Sequence, residues 1–281
     1  MNTKDFKTRS ETIHRAAPCP ANHWIIGLDI GYSAIKGMSP NKIYSVPAYA
    51  RKIPADRVRL NEPSETDIYY KAENGDIWVV GSLAYNELSA SDVIDSEQEF
   101  IWARKRYYSD MFRVISDTGI AIGLMGNDKG NSKGKKLTIQ TGLPPKYLKA
   151  DQNDLKEVLS GHHHFSLRIG RAPWQQFDFV VDSKDIFVMP QPLGALVSAL
   201  VGKDGKQLAT AAKIFSKNTI VFDPGFGTCD DYLVDHGSVV DENTFPDFGM
   251  REVFSRTCKK ISDTYGVSLQ IPDLQNLLRN R

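Results

Sequence analysis

Trp24-Ile25-Ile26-Gly27-Leu28-Asp29-Ile30-Gly31-Tyr32-Ser33-Ala34-Ile35-Lys36-Gly37 is the stretch on which the reading of this chain turns. Its first seven residues are apolar and rich in β-branched side chains, the composition of a buried strand, and that strand runs into a carboxylate. A returning strand over 33–38 follows after only Gly31 and Tyr32, which makes a tight hairpin with glycine at its tip. The same design returns 194 positions later. There the strand 218–223 ends in Asp223, the turn reads Pro224-Gly225-Phe226-Gly227-Thr228, and 230–234 pairs back across it.

Each element of the two turns has a chemical use. Glycine lets backbone N–H groups come close to a phosphate and form an anion-binding concavity, to which the hydroxyls of Ser33 and Thr228 add donors. Two such turns can grip a polyphosphate from opposite sides. Mg²⁺ takes a few carboxylates, waters and phosphate oxygens in preference to a full protein cage, so Asp29 and Asp223 are the expected holders of its hydration shell. Lys36, on the return strand seven residues after Asp29, supplies a point charge against phosphate oxygens. No Walker lysine motif, GxGxxG fingerprint or HExxH motif competes. An Asp-x-Gly turn alone is common in β proteins; the pairing of two is what carries the reading.

Working outward, strands are expected over 42–46, 67–72 and 76–80, the last two joined through the turn signal Asn74-Gly75. The spacing of Phe100, Ala103, Tyr107, Met111, Val114, Ile115 and Ile122 predicts a long amphipathic helix over 96–124, with a break near Gly119. A Gly/Asn/Lys-rich loop over 126–136 leads to a strand over 137–141. A short helix over 151–160, a strand pair over 165–169 and 174–181, a strand over 185–189 and a helix from Gln191 to Val201 follow. Residues 203–217 are weakly patterned. Helices are expected from Gly249 to Tyr265 and from Pro272 onward, and the first 22 residues read as a flexible arm.

Composition narrows the function classes. Lys plus Arg number 35 against 34 for Asp plus Glu, and a net charge of +1 argues against a polybasic nucleic-acid or membrane-surface binder. Cys19, Cys229 and Cys258 are widely spaced with no CxxC pair, so neither a disulfide framework nor a zinc ribbon is encoded, and a reducing cytoplasm is the expected location. No apolar run reaches membrane-spanning length, and the first residues lack a signal-peptide core. His162, His163 and His164 alternate faces on a strand without further ligands at suitable spacing, which disfavours a metal site; Cys229 reads as a small packed residue.

The two hairpins together resemble the phosphate motifs of the actin-like ATPase superfamily, which includes actins, seventy-kilodalton chaperones, sugar kinases and ParM-type plasmid-segregation filaments. Gly27 to Lys36 is similar to the family's first phosphate motif and Val221 to Thr228 to its second. Between them, Pro190-Gln191-Pro192-Leu193-Gly194 resembles the connecting segment whose Gln or Glu orients the attacking water. Thr141-Gly142-Leu143-Pro144 is similar to an element of the plasmid-segregation and archaeal branch.

The resemblance implies an α/β fold of ribonuclease-H-like, actin-like topology, with a first domain over 23–203 and part of a second over 204–281. It implies ATP or another NTP with Mg²⁺ in the cleft. Asp29, Gly31, Tyr32, Ser33, Lys36, Gly225, Phe226, Gly227, Thr228 and Gly249 would contact the cofactor; Asp29 and Asp223 would hold the metal through water. Gln191 would position water by hydrogen bonding while Asp223 accepts the proton or polarises the network. Gln191 as a plain helix cap, and Gly249 as a plain helix start, are the competing readings.

The function implied is a cytoplasmic bacterial ATPase that self-associates into filaments to segregate plasmids, with a DNA-binding adaptor rather than the filament on the DNA, and with no membrane role. The family's Gly-Gly adenosine motif has no counterpart after Tyr265, so a fragment or a shortened variant with a partial second lobe is expected. The alternatives are a non-hydrolysing actin-like scaffold module and a small-molecule kinase.

Overall fold

The computed structural model describes residues 10–54, 62–86, 106–202, 205–246 and 248–279. Their contacts divide the described chain into two compact units, one made of 10–140 and 154–187, the other of 141–153 and 188–279.

In the first unit, β1 (Glu11–His14), β2 (His23–Ile30), β3 (Ala34–Ser39) and β4 (Lys42–Pro47) enter a six-stranded sheet completed by β8 (Lys136–Leu143) and β11 (Ile186–Pro190). Its order is β1-β4-β3-β2-β8-β11, and the chain passes from one unit to the other within β8 and β11. The expected N-terminal arm is therefore structured in part: Glu11–His14 pairs antiparallel with β4, Ile13 opposite Ile43. A second, five-stranded sheet has the order β10-β9-β6-β7-β5, from β5 (Ala50–Ile53), β6 (Ile68–Ala72), β7 (Ile77–Val80), β9 (Gly161–Ile169) and β10 (Gln175–Val181). The short helix α1 (Ser82–Asn86) follows β7.

Helix α2 (Asp110–Leu124) is packed by strands of both sheets. It starts later than the spacing predicts: Arg106–Tyr108 is a 3-10 turn, and the Ser109 hydroxyl accepts from the Phe112 N–H as N-cap. The start expected at 96, with Phe100 and Ala103, lies outside the described residues. Twelve of the helix's fifteen residues are buried, so it is covered on both sides rather than amphipathic.

Nor does Gly119 break α2; it lets the helix lie close on the sheet. A Cβ there would stand 2.9 Å from both Ile35 Cγ2 and Leu28 Cδ1, and one on Gly123 would stand 2.8 Å from Ile26 Cδ1 and from the Tyr44 hydroxyl. At that approach, sheet side chains reach helix carbonyls: the Tyr44 hydroxyl donates to Gly119 O at 2.6 Å and the Trp24 indole N–H to Gly123 O at 2.9 Å. Lys42 Nζ donates to Met125 O at 2.7 Å, where the helix ends and cations are favoured. On the other side, Asp117 accepts from Tyr70 of β6 and Arg113 and pairs with His163 of β9 at 2.7 Å, which ties the helix to the second sheet.

The second unit holds a three-stranded sheet, β12 (Thr219–Pro224), β13 (Cys229–Asp235) and β14 (Ser238–Phe245). Leu196 of α4 (Gln191–Leu200) packs with Tyr232 and Val234 on one face, while Ile220 and Phe222 point outward exposed. Neither β14 nor α5 (Ala209–Phe215) was expected. Helices α6 (Met250–Tyr265) and α7 (Ile271–Arg279) follow the sheet. Helix α3 (Pro145–Leu159) is longer than the expected 151–160 and starts in this unit.

Two outcomes follow from the seating of α2. Gly119→Val places branched carbons against Ile35 and Leu28, and overpacking of this kind costs on the order of 1–3 kcal/mol; chemical denaturation should show a lowered midpoint. Burial lowers Lys42 from its ordinary pKa of 10.5 to about 8. The unfolded chain then binds more protons than the folded one above pH 8, so this residue contributes a rise in stability as pH goes from about 8 toward 10. Relative to wild type, Lys42→Met should lack that rise while remaining parallel below pH 8, as measured by denaturant melts across the range.

Candidate functional site

The first hairpin closes through Gly31 N–H donating to Ala34 O at 3.0 Å. A Cβ on Gly31 would sit 2.9 Å from that same oxygen, so the turn itself demands glycine. Cross-strand register sets Asp29 opposite Lys36, and the Lys36 ammonium lies 3.7 Å from Asp29 Oδ2. Both side chains are well exposed, 67% and 41%, so the pair is weak in water and Lys36 can turn to another anion. Ser33 is buried and its carbonyl accepts from the Ala48 N–H. Arg106 lies over the Tyr32 ring, 4.2 Å from its centroid, and donates through Nη2 to Ile30 O.

The second hairpin has the same cross-strand register but a different closing bond. Gly225 donates to Asp223 O at 3.0 Å, and a Cβ on it would stand 3.0 Å from Thr228 O, the counterpart of Ala34 O. Its flanking support differs. Met250 N–H donates to Gly225 O at 3.0 Å and Arg251 N–H to Phe226 O at 2.8 Å, so the first turn of α6 spends N–H groups on carbonyls of this glycine turn. Phe226 is buried against Phe254 of that helix, with ring centroids 5.8 Å apart. Gly249 is the N-cap residue, and a Cβ on it would come within 2.5 Å of Phe226 O and 2.6 Å of Gly227 C. Backbone cannot yield to such a clash, which gives Gly249 a structural role whatever it touches in a complex.

Register also exposes a residue that sequence reading passed over. Asp230 stands opposite Asp223, where the first hairpin has Lys36 opposite Asp29. It is 1% exposed, and its Oδ1 has no hydrogen-bond partner. The Thr228 hydroxyl donates to its Oδ2 at 3.0 Å. That hydroxyl was expected to face phosphate, and its single proton points to Asp230 instead. Burial raises the Asp230 carboxyl above its ordinary range; hydrogen bonds from Thr244 and Thr228 oppose this, and the charges of Asp223 and Asp231 reinforce it. The signal available in the sequence was the shared seven-residue offset from each hairpin's aspartate.

Two motifs read separately meet in this unit. Gly142, of the Thr-Gly-Leu-Pro element, lies beside Gln191: a Cβ on it would be 3.1 Å from Gln191 Cγ and 3.3 Å from Met189 O. The Lys146 N–H, just beyond that element, donates to the Thr244 hydroxyl, which in turn bonds Asp230. Gln191 is the first residue of α4, with Pro190 as its N-cap, so it does not cap the helix itself. The residues expected to bind cofactor thus fall into two groups: Asp29, Gly31, Tyr32, Ser33 and Lys36 on one unit, and Gln191, Asp223, Gly225, Phe226, Gly227, Thr228 and Gly249 on the other. Asp29 and Asp223, both partly exposed at strand ends, are hard oxygen donors of the kind that suits a hydrated Mg²⁺.

Residues 27–194 match the family described as actin like proteins N terminal domain. The chain belongs to this family of actin-like proteins. Its mixed α/β fold is of the ParM type. It is similar to a non-polymerisable quadruple mutant of pCBH ParM, with a TM-score of 0.68 and 22% identity over 91% of this chain and 73% of that one. It is similar also to the subunit of a 15-stranded ParM filament from Clostridium botulinum, with a TM-score of 0.66 and 21% identity over 91% and 74%. An AlfA filament from B. subtilis plasmid pLS32 gives 0.56 and 14% over 86% and 79%. No curated protein sequence matches. No helix among the described residues is long and apolar enough to cross a membrane.

Gly249→Ala should dislodge the start of α6 from the second turn. Hydrogen exchange at the Met250 and Arg251 amides is expected to speed up, with a loss of stability on the order of 1–3 kcal/mol; unchanged protection at both amides would contradict this packing.

Proposed function

We propose that this chain is a nucleotide-binding, filament-forming actin-like protein whose ATP hydrolysis is coupled to self-association in plasmid segregation. The supporting observation is the pair of hairpins in one register: Asp at the strand end, glycine packed close to a return-strand carbonyl, and an anchored aromatic beside it. Family membership and a fold shared with ParM and AlfA filament proteins add to it. In this reading residues 23–203 make up actin-like domain I and residues 204–281 belong to domain II. A DNA-binding adaptor contacts the plasmid, in keeping with the net charge of +1, and the protein works in the cytoplasm.

The backbone amides of both turns and the Lys36 ammonium bind the phosphates of ATP or another NTP. Asp29 and Asp223 hold Mg²⁺ through its waters, and the ion supplies charge neutralisation at the phosphate oxygens. Gln191, held against Gly142, orients the attacking water by hydrogen bonding, and Asp223 accepts its proton. Asp230 holds the Thr228 hydroxyl in one direction. Catalysis in this scheme is positioning and electrostatics, with no covalent intermediate on the protein.

Sedimentation with and without Mg·ATP tests the reading: nucleotide-dependent pelleting is expected. Asp223→Ala should lower hydrolysis at least 100-fold, the scale of removing a group that acts on the proton in flight, with the fold retained by circular dichroism. A chain that binds nucleotide but never pellets would leave a non-polymerising actin-like module, and phosphoryl transfer to a sugar without polymer would mark a kinase.

A further inference from the structure

Arg106 is the one buried cation next to a proposed phosphate turn whose donors are left over among the described residues. It is 6% exposed. Nη2 donates to Ile30 O, the carbonyl immediately before Gly31. Nε and Nη1 are buried with no hydrogen-bond partner. Among the described residues no carboxylate forms an ion pair with it; three aromatic rings surround it instead, with centroids 4.2 Å (Tyr32), 5.1 Å (Phe112) and 5.9 Å (Tyr107) from the guanidinium carbon. Ring faces offset part of the desolvation of a cation, but a buried charge without an anion is costly.

The location of this cost is informative. Arg106 begins the 3-10 turn that leads into α2, and its own carbonyl accepts from the Ser109 hydroxyl and backbone N–H. Its backbone is therefore fixed by the N-cap of the most buried helix of the unit. Its side chain holds the two residues that flank Gly31, through the Ile30 carbonyl and the Tyr32 ring. A net positive charge is thus built in behind the amides of the first turn.

We propose that Arg106 is a positioning residue for the first phosphate turn, and that its uncompensated charge is balanced when a polyphosphate occupies the amide face of that turn. The inference rests on the nucleotide-binding reading above and deepens it. Because Nε and Nη1 are enclosed, Arg106 acts through the turn and through space rather than as a direct ligand. A charge effect of this kind grows with the negative charge on the ligand, whereas a loosened fold weakens all nucleotides alike.

The experiment compares Mg·ATP with the less negative Mg·ADP by calorimetric titration on wild type, Arg106→Gln and Arg106→Lys. Gln keeps a donor for Ile30 O and removes the charge; Lys keeps the charge and loses the planar stack. For Arg106→Gln the expected result is at least tenfold weaker Mg·ATP and a smaller loss for Mg·ADP, with both affinities recovered toward wild type in Arg106→Lys. The inference is overturned if Arg106→Gln binds Mg·ATP within twofold of wild type. Equal weakening of both nucleotides, or failure of both variants to fold, also overturns it, because the residue would then serve the fold alone. Absence of any nucleotide binding by wild type removes the parent reading and this inference with it, an outcome distinct from the others.

Discussion

The close seating of α2 on the six-stranded sheet is the constraint on which the rest of the first unit depends. Two glycines one helical turn apart bring the helix backbone within reach of the Tyr44 hydroxyl and the Trp24 indole. Those two polar groups are buried, so each needs a partner, and only a helix at this distance provides one. The same approach leaves space for Tyr44 itself because β3 carries Gly37, where a Cβ would fall 1.9 Å from the Tyr44 Cζ. Fixing α2 also fixes Ser109 and the turn before it, and hence the guanidinium that holds the first glycine turn. Core packing and site geometry are one problem in this unit.

The second hairpin solves the same problem differently. Its turn is held by backbone donors at the start of α6 and by Phe226 against Phe254, with no buried cation beside it among the described residues. Its return strand carries Asp230 where the first carries Lys36. The return strand thus carries an exposed cation in one hairpin and a buried carboxylate in the other.

Much of this was legible in the sequence because the informative features are local. Apolar strands ending in Asp, followed within three residues by a glycine turn, need no tertiary information, and both hairpins formed as read. The losses came where distant residues decide. Gly119 has the sequence signature of a helix breaker, and only Leu28 and Ile35 across the sheet turn it into a contact point. Strand β14 follows a His236-Gly237 turn in which both residues have positive φ, 46° and 84°, a two-residue hairpin whose first position is seldom histidine. The roles of Asp230 and Arg106 depend on register and burial, neither of which appears in a linear pattern.

Glycine shows most clearly why motif reading and structure must be combined at such a site. Gly31 and Gly225 sit at the tips of the two hairpins, yet Gly31 is already required by the Ala34 oxygen, and a Cβ on Gly225 would press on the Thr228 oxygen at 3.0 Å. Gly249 lies next to the second turn, yet backbone atoms of Phe226 and Gly227 alone exclude a side chain there. Loss of nucleotide binding on replacing any of the three would therefore say little about contact with the ligand. Side chains that close no turn and fill no core are the better reporters, and Lys36, whose only partner across the strand is a solvent-exposed carboxylate, is the clearest of them.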